Sequence, residues 1–541
     1  MKNWKKVFSL LLLPLFLTAC LVQNVDIPSP SPAATPAATV RETKPKAGGS
    51  LRLPMAAPKT LNPLLNTDPS VDAILRLLFE PLTVIDSEQR VAANLAAFEI
   101  APDGLSITLT LRDGLTWSDG SPVTAQDIVF SVQMLKNAPE GAVYRPLAAD
   151  MAGCTAADSR TAVLHLIQPF GGAAYLLCFP ILPEAYYSGE TDPGSDKNMK
   201  PLGNGLYTFV SYTTMQNMLL TANNRTFRPK PYISEINAVI TPDSETSLYS
   251  FDAGLTDAAS APLADWGKYR GAKETRATEY LTTYFDFIGF NFKNPLLQDL
   301  SVRQAVAYVV DTTDVVNNFY QGHAARALAP ISPESWLYDP DVTQYAFNTD
   351  KATIALSDSG FTRNANGVLE KTADGQKFPA SFRLLVNEEN MERAKLADML
   401  KKNLEQVGVS VTIESVPYDK YQQRLTDRDF DLFIGGFYLS PIPDLSFAFH
   451  SGDLYTSNYF SYGDADLDAL LDQAHSAAND DAFAAATKEV QRRIAEELPV
   501  ISLVFRKSAV LTGSRVQGEI KPVVNDIYAN INEWWVLETG N

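Results

Sequence analysis

Ile107, Leu109 and Leu111 alternate with Thr108 and Thr110, which predicts a half-buried strand running into the turn Arg112-Asp113-Gly114. The period then changes. Val302, Ala305, Val306, Val309 and Val310 recur at helical spacing, and Ser301 with Gln304 reads as a capping box at the start of that helix. Leu396, Met399, Leu400, Leu404 and Val407 predict a helix over 391–407, followed by a strand through Val409, Val411 and Ile413. Asp431-Leu432-Phe433-Ile434 reads as a buried strand that ends in a loop at Gly435-Gly436. Two more helices are expected over 464–477 and 481–497, the second carrying Phe483, Val490 and Ile494 on one side. Strands and helices interleave without a repeat of 20–50 residues, so the fold class is mixed α/β and a solenoid or propeller is disfavoured.

The first residues follow another pattern. Lys2, Lys5 and Lys6 precede an apolar run from Val7 to Ala19, about 20 Å of helix and short of the roughly 30 Å hydrocarbon core, which reads as a signal peptide over 1–19. Leu17-Thr18-Ala19-Cys20 resembles a bacterial lipoprotein processing box, which makes Cys20 the expected lipidation site. Residues 28–39 contain only Pro, Ser, Ala and Thr. They cannot build a core, so 20–47 is expected to be a disordered tether behind the lipidated Cys20.

Composition narrows the function classes. The 541 residues are 45% hydrophobic and 20% charged, which is globular, and the formal charge of −18 opposes the clustered cations that nucleic-acid binding needs. No nucleic-acid partner is expected. The four histidines, His165, His323, His450 and His475, form no H-E-x-x-H, and no G-x-S-x-G elbow, Walker loop or G-x-G-x-x-G is present. His165 lies in the alternation Val163-Leu164-His165-Leu166, as a strand histidine would. Metal-ligand spacing is absent, no cofactor is expected, and no enzyme is supported. Cys154 and Cys178 are compatible with a disulfide or with two small buried thiols.

Four segments carry a resemblance. They are GGSLRLPMAAPKTLNPLL at 48–65, LRDGLTWSDGSPVTAQDIVFS at 111–131, the stretch from Gly203-Asn204-Gly205-Leu206-Tyr207 through Asn223-Asn224 to Pro231-Tyr232, and Asp299-Leu300-Ser301-Val302-Arg303-Gln304-Ala305. Together they resemble the extracellular solute-binding proteins of family 5, the oligopeptide and dipeptide receptors of ATP-driven importers. In the second segment Asp113-Gly114 and Asp119-Gly120 turn the chain and Thr124 caps a helix beginning near Ala125. Trp117, Asp119 and Arg303 read as scaffold.

The resemblance implies a bilobal periplasmic-binding-protein-like fold of type II, class C. One lobe would comprise 48–82, 198–287 and 504–541, with an inserted subdomain at 83–197, and the other lobe would be 288–503. Crossovers near 284–292 and 502–507 would make a two-strand hinge. It further implies a monomeric lipoprotein on the outer face of the cytoplasmic membrane, or in the periplasmic space where the host has an outer membrane. There it would capture oligopeptides by cleft closure and deliver them to an ABC permease with its ATPase subunits. A sugar oligomer, a metal chelate or a signalling peptide are alternative solutes, and an exported hydrolase or a surface adhesin are alternatives of another class.

Family peptide receptors commonly hold the peptide amine with an aspartate shortly after a Gly-Trp pair. Gly436-Phe437 stands at that place, which puts Ser440 where the acid is expected and Asp444 four residues further on, so either the loop shifts to bring Asp444 to the amine or the ligand is not a free-amine peptide. Tyr284, Phe285, Phe437 and Tyr438 are candidates for the cleft wall, and Asn62 in the Leu61-Asn62-Pro63 turn and Asn291 at the end of the crossover strand complete the expected ligand set.

Overall fold

In the strand Ser50–Met55 every second residue is buried, so Leu51, Leu53 and Met55 point into a core while Ser50, Arg52 and Pro54 lie at its margin. The computed structural model of the chain describes residues 44–537 apart from 262–266, 270, 271, 273, 366, 367, 374 and 453–456. The expected signal peptide, Cys20 and nearly all of the tether lie outside the described residues. Among those described, no helix is long and apolar enough to cross a membrane.

Ser50–Met55 pairs in parallel with Glu235–Ile240, and Asn217–Ala222 and Tyr207–Thr213 extend the sheet antiparallel. One sheet therefore joins segments far apart in the chain. The intervening residues make a second four-stranded sheet in the order Ala96–Ile100, Ser106–Leu111, Thr161–Leu166, Met151–Ala156, with the helix Ala125–Lys136 packed on it. The alternation at 107–111 is thus a strand, with its apolar residues buried. Thr124 precedes the helix as expected, and the Asp127 carboxylate reaches back to accept the Thr124 N–H at 2.8 Å. Asp127 also receives the indole N–H of Trp117 at 3.3 Å, which ties this turn to the helix.

The third sheet runs Ala258–Ala261, Val500–Gly513, Thr275–Phe290, Leu432–Tyr438, Ser381–Asn387, Ser410–Val416, with Ala324–Arg326 also pairing with Val500–Gly513. Two strands are exceptionally long, Thr275–Phe290 with 16 residues and Val500–Gly513 with 14. They pair from Thr275↔Gly513 to Leu281↔Lys507, lose register, and pair again from Phe285↔Phe505 to Gly289↔Val500. Ala258–Ala261 joins on one side of this break and Leu432–Tyr438 on the other. The cores divide in the same way. Ala258 and Val510 pack with Leu51 and Leu53, whereas Ile288, Phe290 and Val504 pack with Leu384 and Leu400.

Several expected boundaries move. The helix Leu300–Tyr308 is capped by Asp299, whose carboxylate accepts the Ser301 N–H at 3.0 Å, rather than by Ser301, and it ends before Val309 and Val310. Leu432–Tyr438 does not stop at Gly435-Gly436. The glycines stay in the strand because aromatic rings lie over them: a Cβ on Gly435 would meet the Phe433 ring at 2.6 Å, and one on Gly436 the Tyr284 ring at 2.7 Å. The helices Met391–Gln406, Ala465–His475 and Asp480–Glu497 lie within a residue or two of their expected spans. Arg303 is scaffold: it is buried and donates to the carbonyls of Leu297, Gln298 and Glu497. His165 is an exposed strand residue beside Thr155 Oγ1 at 3.2 Å.

Candidate ligand-binding cleft

A cavity of about 1210 Å³ lies beside the register break. One wall comes from the helix Pro69–Leu75 and the residues after it, Tyr144, Phe227–Pro229 and the segment 523–529. The other comes from Thr282, Thr283, Tyr438 and Ser440–Ile442.

The local sequence explains the first wall. Asp68 caps the helix by accepting the N–H groups of Ser70 at 2.8 Å and Val71 at 3.3 Å, with Pro69 in the first turn. Val71, Ile74 and Leu75 bury one side. Asp72 and Arg76 are four residues apart and therefore share a face, where Arg76 Nε donates to Asp72 Oδ2 at 2.8 Å. The Tyr144 hydroxyl donates to the same oxygen at 3.2 Å, while Asp72 Oδ1 is buried without a partner among the described residues. Glu80, 2% exposed, accepts from Asn94 Nδ2 at 2.9 Å and from Arg228 Nη1 at 3.4 Å. Burial pushes the Glu80 carboxyl above its ordinary range despite these donors. Asp526 accepts the Tyr528 N–H at 3.0 Å through Oδ1, and burial pushes its carboxyl up as well, against the pull of Arg76.

On the second wall Tyr438 is 79% exposed and meets Tyr284 edge-on, with ring centroids 4.4 Å apart. Tyr284 is fixed from behind: Arg393 Nη2 donates to its hydroxyl at 3.0 Å, and the Arg506 guanidinium lies 4.3 Å from its ring centre. Arg506 in turn holds Asp286, a buried carboxylate that also accepts the Tyr320 hydroxyl at 2.9 Å.

Of the expected ligand residues, Tyr438 and Ser440 line the cavity and Tyr284 supports Tyr438. The structure does not bring the others to it. Asn62 is fully buried and donates to Asn198 Oδ1 at 2.9 Å, and Asn291 donates to the carbonyls of Arg428 and Phe430. Phe285 is fully buried, 5.5 Å from Phe287 and 5.3 Å from Phe505 between ring centroids. Phe437 packs on Phe287 and Phe447.

Asp444 also lies off the cavity. Its Oδ1 accepts the Ser446 N–H at 2.8 Å and its Oδ2 faces His475 Nδ1 at 3.1 Å, so both oxygens are engaged. Burial opposes ionisation here, yet the hydrogen bonds from His475 and Ser446 hold the carboxyl below its ordinary range, and the same contact raises the His475 imidazolium. Asp444 borders two spaces of about 30 and about 10 Å³, room for water and little else. The disulfide left open by the sequence is not made. Cys154 and Cys178 are both free, on separate elements, with Cys178 facing the cavity 3.3 Å from Thr83 Oγ1 and its thiol pushed by burial to about 11.

Sequence reasoning missed Asp72, Arg76, Glu80, Arg228 and Asp526. The Asp72–Arg76 spacing after a helix-starting Asp-Pro was a readable signal. Asp526, in a loop near the end of the chain, had none.

Among the described residues no group of three or more His, Cys, Asp or Glu is placed to hold a metal ion. Across its whole length the chain is similar to the oligopeptide-binding protein AppA of Bacillus subtilis (strain 168), with 28% identity covering 98% of each chain. The solved structure of AppA from Bacillus subtilis in complex with a nonapeptide matches with a TM-score of 0.63 and 26% identity over 92% of this chain and 100% of that one. The fold is also that of the ABC transporter substrate-binding protein CtaP of Listeria monocytogenes, with a TM-score of 0.77 and 23% identity over 91% of this chain and 100% of that one. Residues 90–458 match the model for bacterial extracellular solute-binding proteins, family 5 Middle. The chain, a mixed α/β protein with the periplasmic-binding-protein fold, therefore belongs to the family 5 extracellular solute-binding proteins, the non-enzymatic solute-capturing components of ABC transporters.

Proposed function

We propose that this protein captures oligopeptides and delivers them to a membrane permease. The observation that carries this reading is the full-length similarity to an oligopeptide-binding protein. The size of the cavity supports it: about 1210 Å³ exceeds the roughly 300–1,000 Å³ of pockets for drug-sized ligands, as an extended peptide requires.

Capture works without chemistry. The lobes 48–82 with 198–287 and 504–541, and 288–503, rotate about the register break at Thr282–Tyr284 and its partner residues. Broken pairing there leaves the two long strands free to bend. A peptide touching both walls makes its full set of contacts only in the closed state and shifts the population toward it. Micromolar affinity is about −8 kcal/mol, which the contacts must supply beyond the cost of closure. Tyr438 and Ser440 supply the contacts from the second lobe. Lipidation at Cys20 holds the receptor on the membrane, and 20–47 gives it reach to a permease served by ATPase subunits.

Calorimetry with a panel of peptides of two to ten residues tests the reading. Saturable one-to-one binding with loose sequence preference is expected. Binding of none of them, together with a non-peptide solute identified by mass spectrometry of the purified protein, would overturn it.

A further inference from the structure

Ser440, where the resemblance places an acid, has no charge, and Asp444 is occupied by His475 and Ser446. An ammonium group taken from water into a cavity without a carboxylate is costly. The wall offers a different acid.

Five carboxylates and three guanidiniums line the cavity. Asp68 and Asp243 are spent on helix caps, the latter accepting the Thr246 N–H at 2.7 Å. Asp72 is paired with Arg76 and Glu80 with Arg228, while Arg112 donates to the Asn94 carbonyl and lies over the Phe227 ring. Asp526 is left over. Its Oδ1 is held by one backbone N–H, and its Oδ2 has no donor among the described residues. A second acceptor stands on the same wall, since Asp72, 4% exposed, has its Oδ1 unpartnered.

We propose that Asp526 is the anchor for the cationic group of the ligand, the α-amine of a peptide, so that this chain holds the amine from the wall formed by 69–80 and 523–529 instead of from the loop after Gly436-Phe437. This rests on the peptide reading. An ammonium has three donors and no acceptor, so a free carboxylate oxygen with a second acceptor on the same wall suits it, adding a direct contact to the longer-range pull of Arg76 and Arg228 on Asp526.

Calorimetry on the intact protein with a peptide and its N-acetylated form tests the assignment, using the wild type, Asp526→Asn, Asp526→Glu and Asp444→Asn. The wild type is expected to prefer the free amine by at least about tenfold, Asp526→Asn to abolish that preference, Asp526→Glu to restore part of it, and Asp444→Asn to keep it. Asn keeps the acceptor for the Tyr528 N–H, and thermal melting verifies the fold of each variant. Peptide binding with an amine preference that survives in folded Asp526→Asn, or with no preference in the wild type, would overturn the anchor while leaving the peptide reading intact. Failure of every peptide to bind the wild type would overturn both.

Discussion

Two carboxylates, Asp286 in the interior and Asp526 on the cavity wall, contrast a finished hydrogen-bond network with an open one. Asp286, between the two long strands, is 1% exposed. Both its oxygens are taken, by Arg506 and by the Tyr320 hydroxyl, with Arg393 3.8 Å away. Asp526 has one backbone donor, an open oxygen and a cavity in front of it. A closed network fixes geometry, and an unfinished one waits for a partner.

That contrast predicts opposite mutational responses. Asp286→Ala leaves the half-buried Arg506 and the buried Arg393 without their carboxylate and is expected to cost about 3–5 kcal/mol, read as a large fall in the urea or thermal midpoint. Asp526→Asn, which costs at least about tenfold in amine preference, is expected to leave the midpoint of the unliganded protein unchanged or slightly higher. The reason is one of sign: a carboxyl whose folded pKa lies above its unfolded value costs stability once the pH exceeds both, and the amide removes that cost.

Smaller effects probe contacts between residues 83–197 and residues 288–503. The Tyr175 hydroxyl accepts the Trp336 indole N–H at 3.0 Å and donates to the Gln89 carbonyl at 2.6 Å, and Trp336 N–H donates to the Glu88 carbonyl at 2.9 Å. If these contacts form on closure, Tyr175→Phe weakens peptide binding by about fivefold with little change in the stability of the open form, measured by calorimetry and melting.

The smallest expected effect is that of pH on His475 and Asp444. The histidine, raised from 6.5, contributes stability fully below that value and loses it as pH rises through its folded value. The aspartate, lowered from 3.8, contributes above that value and loses it as pH falls through its folded one. The pair is therefore worth most between about 4 and 6.5. Urea midpoints of wild type and Asp444→Asn should differ more at pH 5.5 than at pH 8.5, and a difference equal at both would reject the pair.

How far the sequence could be read depends on the range of the forces involved. The strand at 106–111 and the helices at 125–136, 391–406 and 480–497 were legible because alternation, capping and one-sided burial are local. The path of Leu432–Tyr438 through Gly435-Gly436 was not, since the rings that occupy the glycine faces include Tyr284, some 150 residues away in the chain. The candidate site shows the same limit. Tyr438 and Ser440 came from a segment whose pattern could be aligned, whereas Asp526 acquires its meaning from Asp72, Arg76, Glu80 and Arg228 having already found partners. Phe285 and Phe437 illustrate the converse, as neighbours of a cleft that face a core.

The central claim is that two halves close on a peptide held between their walls. Small-angle X-ray scattering of the protein with and without a saturating peptide tests it most directly: the account predicts a smaller radius of gyration in the complex, and an unchanged curve from a protein shown by calorimetry to be saturated would contradict it.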